Sequence, residues 1–96
     1  MAVWQDPIGR CNHFVRHGRG LGVSTPPAYD ASADETIASG IKFTYTDRWS
    51  RLPRIGYYDR PSRRFVAVTD DGLYIVSHFA ASEAYARNLP DSTFAP

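Results

Sequence analysis

The chain has 96 residues, is 43% hydrophobic and 22% charged, and carries a formal net charge of +1. That length suits one domain with one modest core, and the composition excludes a disordered chain. No apolar run nears the roughly 18 residues of a membrane span, the opening residues lack the basic and apolar stretches of a signal peptide, and the single cysteine, Cys11, excludes both an internal disulfide framework and a cysteine-built zinc site.

Lys42 is the only lysine among eleven basic residues. Arginine makes forked bonds to phosphate and stacks on bases, so the bias suits a phosphate-rich ligand. A GC-rich coding sequence produces the same bias.

The first predicted helix covers residues 6–20. Asp6 caps it and Pro7 takes the first helical position, where a missing N–H costs nothing. At about 100° per residue, Trp4, Ile8, Cys11, Phe14 and Val15 gather on one side, which reads as the buried one and makes Cys11 a core residue. His13 and His17, four apart, share a different side. The glycines of residues 18–22 end the helix. A second helix starts at the Thr25 cap with Pro26 first, buries Tyr29, Ala33 and Ile37, and stops at Gly40.

Four strands follow, at residues 41–45, 55–58, 65–69 and 73–79, the last two joined by an Asp70-Asp71-Gly72 hairpin turn. Ser82 caps a short closing helix through Leu89. Helices followed by a meander of strands describe an α+β domain, with helices on one sheet face and the other face at least partly open.

Three histidines, His13, His17 and His78, supply the groups suited to acid and base work near neutral pH. The His13–His17 spacing also suits a metal, but Phe14 stands where a zinc helix has glutamate and no third ligand is near. In the last strand, a two-residue hairpin turn puts Ser77 with the core set and His78 on the open face. A bulge reverses that assignment, so Ser77 and His78 are rival site residues. Arg48, Arg51, Arg54, Arg60, Arg63 and Arg64, interleaved with Trp49, Tyr57 and Tyr58, form a candidate phosphate-binding and base-stacking surface.

His13-Phe14-Val15-Arg16-His17-Gly18, then Leu21-Gly22 and Ser24-Thr25 before Tyr29, together with residues 58–68, Asp71-Gly72 and Ile75-Val76-Ser77-His78-Phe79, resemble colicin-D-like nuclease domains. These belong to the group uniting barnase, EndoU, colicin and RelE ribonucleases. The resemblance spans residues 11–93. It implies N-terminal helices packed on a four-stranded antiparallel sheet, metal-independent cleavage of RNA (often tRNA), no cofactor, and a cognate immunity protein. It also implies delivery as the end of a larger polymorphic or contact-dependent toxin acting in a target cell's cytoplasm.

By position, His17 matches the histidine at the family's His-Gly helix end, and Ser77 matches a hydroxyl residue of the last strand. On this expectation His17 acts with His78 or His13 as acid and base, and the product is a 2′,3′-cyclic phosphate. Ser77 and Thr69 position the phosphate, Arg63, Arg64 or Lys42 steadies its charge, and Tyr58 contributes to the base-stacking surface. The alternative is a non-catalytic interaction domain of a phage or toxin system on the same fold.

Overall fold

The computed structural model describes residues 3–95. A strand of two residues, β1 (Val3–Trp4), precedes helix α1 (Pro7–His17), a 3₁₀ turn (Arg19–Leu21) and helix α2 (Pro26–Ser39). Four longer strands follow, β2 (Ile41–Thr46), β3 (Pro53–Asp59), β4 (Arg64–Thr69) and β5 (Tyr74–Ala80), then helix α3 (Glu83–Arg87). The sheet order is β1-β5-β4-β3-β2. β2 to β5 pair antiparallel, but β1 pairs parallel with β5, so the sheet is five-stranded and mixed. A two-residue strand is too short to carry the alternation that marks the others, which is why the expected four strands omit it.

The helix ends follow their local chemistry. The Asp6 carboxylate accepts from the Ile8 N–H, and the Thr25 hydroxyl accepts from the Ala28 N–H. Gly40 ends α2 where a Cβ would stand 2.5 Å from the Thr36 carbonyl oxygen and against the Tyr58 backbone.

The sheet separates two apolar clusters. Under α2 lie Ala33, Ile55, Val66, Val68 and Ile75, with Trp4, Ile37 and Tyr57 packed on them. On the opposite face Phe43, Tyr45, Tyr58, Phe65 and Ala67 meet Ala86 and Leu89 around α3, and Phe94 of the C-terminal segment. That segment also bonds along β2: the Thr46 N–H donates to the Pro90 carbonyl and the Thr93 N–H to the Thr44 carbonyl. The otherwise open edge is thereby blunted.

Gly56 sits where the second cluster is tightest. A Cβ there would come within 2.4 Å of the Phe43 ring, itself held by Tyr45, Phe65 and Phe94. Gly56→Ala therefore overpacks the core and should cost about 2–3 kcal/mol of stability in urea titration, with Phe43→Leu partly restoring it. An unchanged midpoint would mean that the ring yields freely.

Helix α1 departs from expectation. Its half-buried positions are Gly9, Arg10, His13, Phe14 and His17, while Ile8, Cys11 and Val15 face solvent. The sheet side outcompetes the apolar stripe because it offers partners for polar groups as well. Arg10 pairs with Asp30 at 2.8 Å, and the histidines meet aromatic rings. Cys11 is exposed and is not a core residue. In the native protein it should react with a thiol reagent as fast as in urea, and Cys11→Ser should shift stability by no more than about 0.5 kcal/mol. Slow native labelling would contradict this orientation of α1.

Candidate active site

A bulge decides where the residues of β5 point. Val68 pairs with Ile75 but Ala67 pairs with Ser77, leaving Val76 as the extra residue. Ile75 and His78 therefore face α2, whereas Val76, Ser77 and Phe79 face the other way. Of the rival pair, Ser77 is the half-exposed residue and His78 is fully buried.

His78 is a satisfied core histidine. Its Nδ1–H donates to the Phe65 carbonyl at 2.9 Å, because that oxygen can only accept. Nε2 of the neutral ring then accepts from the Ser32 hydroxyl at 2.8 Å. The Tyr29 hydroxyl donates to the His78 carbonyl. Burial, set against the helping bond to Phe65, pushes the imidazole down to about 4, so it is neutral at pH 7. With no exposure it meets no substrate, and the expected acid–base role for His78 is corrected to a structural one.

His13 and His17 form a different arrangement. One turn apart on α1, their rings stack with centroids 5.7 Å apart. His13 also stacks on Trp4 at 6.0 Å, and His17 packs on Phe79 at 5.3 Å. Both rings are half-buried. Desolvation holds both below the ordinary imidazole value. Arg16 adds to this at His13, and the His13 charge followed by Arg16 adds to it at His17. The Nδ1 of His13 is buried without a hydrogen-bond partner among the described residues. Like charges this close make the rings titrate as a pair, the second proton binding less readily than the first. Over an interval the pair thus holds one proton, one ring an acid and the other a base.

The remaining sequence-predicted residues divide between this place and elsewhere. Ser77 lies two residues from Phe79 on the same face, about 7 Å along the strand. Arg63, at the β3–β4 turn, lines an open recess with Gly20, three residues beyond His17, and Ala80, next to Phe79. Arg64 is instead anchored, donating to the Leu21 carbonyl at 3.0 Å and facing Glu35 at 3.7 Å. Lys42 lies on edge strand β2, three strands from β5 and about 14 Å away. The Thr69 hydroxyl donates to Asp71 and accepts from the Tyr74 N–H, so it braces the hairpin. Tyr58 is buried with its hydroxyl donating to the Ala81 carbonyl. Neither is placed to touch substrate.

A polar cleft of about 100 Å³ opens on the α3 face, lined by residues that include Tyr45, Asp47, Arg48, Trp49, Ser77 and Tyr85. Arg48, Trp49 and Ser77 were legible as candidates, but Tyr45, Asp47 and Tyr85 were not. They come from two separate segments, the end of β2 and α3, and meet only in the fold.

Among the described residues no group of three or more His, Cys, Asp and Glu side chains could hold a metal ion, and no helix is long and apolar enough to cross a membrane. No protein-family model, curated protein or solved structure matches the chain.

Proposed function

We propose that the chain is an RNA-cleaving domain that works without a metal, with His13 and His17 as its acid–base pair. The observation that carries this is the stacked, half-exposed pair at the outer side of β5, 5.7 Å between ring centroids. The unprotonated ring accepts the proton of a ribose 2′-hydroxyl as its oxygen attacks phosphorus. The P–O5′ bond breaks, and the protonated ring gives its proton to the departing O5′. The product carries a 2′,3′-cyclic phosphate. Arg63, exposed in the recess it shares with Gly20 and Ala80, steadies the phosphate charge.

Cleavage of an RNA mixture in EDTA should leave 2′,3′-cyclic phosphate ends, and a single 2′-deoxy substitution at a cut site should abolish cutting there. Cutting that persists at the deoxy position, or that needs a divalent ion, would defeat this mechanism. On this proposal tRNA is a natural substrate to assay first, and an immunity protein is the expected inhibitor.

A second reading rests on α1's outward stripe. Ile8 is 74% exposed and Val15 is 79% exposed, with Cys11 between them. Such a strip suits an interaction domain. That reading predicts a folded chain that leaves all RNA intact.

A further inference from the structure

The cleft on the α3 face contains chemistry that the His13–His17 pair does not use. Three hydroxyls, those of Tyr45, Ser77 and Tyr85, line it. Among the described residues none of the three has a hydrogen-bond partner, and none is sealed away from solvent. Burial raises both tyrosines above their ordinary value, so their hydroxyls remain neutral donors.

Asp47 adds the opposite character. Its Oδ2 accepts from the backbone N–H groups of Trp49 at 3.1 Å and Ser50 at 2.7 Å. Burial opposes its ionisation, but those bonds and the Arg54 charge outweigh it and hold the carboxyl below its ordinary range. The same turn fixes Trp49, which is 88% exposed at the rim. Arg54 acts on both Tyr45 and Asp47, and its Nε is buried with no hydrogen-bond partner among the described residues.

Arg48 lines the cleft as well, so its charge offsets that of Asp47 and the cleft is not built for a lone anion or a lone cation. A planar ring that both gives and takes hydrogen bonds is favoured: it stacks on Trp49, donates an amine to Asp47 and accepts from the hydroxyls. We infer that the cleft is a base-binding subsite for single-stranded RNA, taking a base with both an exocyclic amine and a carbonyl, which means guanine or cytosine. Adenine lacks the carbonyl and uracil lacks the amine. This inference rests on the RNA-cleaving proposal for its substrate and adds the specificity.

The test uses fluorescently labelled 2′-O-methyl hexamers of each base, which cannot be cleaved, with binding to the full chain read by anisotropy. Guanine or cytosine hexamers should bind about ten-fold or more tighter than adenine and uracil hexamers, and the comparison of the two distinguishes which base is taken. Asp47→Asn retains an oxygen for the turn but lacks the charge, and should compress that preference to within about three-fold. Trp49→Ala should weaken binding of every hexamer by about ten-fold or more. Tyr85→Phe, which removes only a hydroxyl, should also reduce the preference and serves if Asp47→Asn fails to fold.

Equal binding of all four hexamers, or an undiminished preference in folded Asp47→Asn, would overturn the subsite. A base preference without cleavage of unmodified RNA would keep the subsite and defeat the catalytic proposal. Cleavage without any preference would do the reverse.

Discussion

His17→Ala should lower RNA cleavage by about 10²–10⁴-fold, the usual contribution of a positioned acid or base. The fold should survive, because His17 is the last residue of α1 and its ring packs at a half-exposed position against Phe79 and His13. His13→Ala should fall within the same range. The double variant should be scarcely worse than either single one, since a pair that shares a proton acts as a unit. The wild-type pH profile should be a bell. On the acid side both rings are protonated and no base is left. On the alkaline side the last proton leaves and no acid remains. Desolvation of both rings moves the bell below the ordinary imidazole value. Circular dichroism and a single-turnover time course at several pH values check these points together. A His17→Ala chain with full activity would remove His17 from the chemistry.

The second large effect is on stability in acid. His78 is pushed down to about 4 by burial, from an unfolded value near 6.5. Between those values the unfolded chain binds the proton and the folded chain does not, so stability rises with pH across that window. The contribution is complete above pH 6.5 and disappears as the pH falls toward 4. It amounts to about 3 kcal/mol, from roughly 1.36 kcal/mol per pH unit. His13 and His17 act with the same sign. The depressed carboxyls of Asp47, Asp71 and Glu83 add their loss below the ordinary carboxylate range. Urea midpoints measured every half unit from pH 7.5 to 4 should slope downward in wild type. In His78→Gln the slope should be much smaller, with stability at pH 7 lower because the bonds to Ser32 and Phe65 change. An equal slope in both proteins would contradict the neutral buried imidazole.

Local chemistry made much of the fold legible. Thr25-Pro26 and Gly40 bracket α2, and the Tyr29–Ala33 stripe is the side that becomes buried. Residues 41–45 alternate, and residues 65–69 form a short apolar run rich in β-formers, which gives β2 and β4 within a residue at either end. The orientation of α1 was not legible, because Phe14 belongs both to the apolar stripe and to the histidine side. The competing attractions, Asp30 for Arg10 and Phe79 for His17, lie 20 and 62 residues away. Val76 defeated the assignment of β5 faces in a similar way. One extra residue reverses every later side chain, and nothing in Ile75-Val76-Ser77 announces it.

The candidate site was legible in part for the same reason. The histidines were visible as residue types and as a helix spacing. The bulge then separated them into a buried structural ring, His78, and an accessible pair, His13 and His17. The arginines looked alike in sequence. Only the fold distinguishes Arg64, tied to Leu21 and Glu35, from Arg63 in an open recess.

The measurement that tests the central claim most directly is incubation of the purified chain, beside His17→Ala and His13→Ala, with total RNA in EDTA, resolved on a denaturing gel. The account predicts discrete cleavage by wild type and loss of those bands in both folded variants. Intact RNA in every lane, with all three chains folded by circular dichroism, would contradict it.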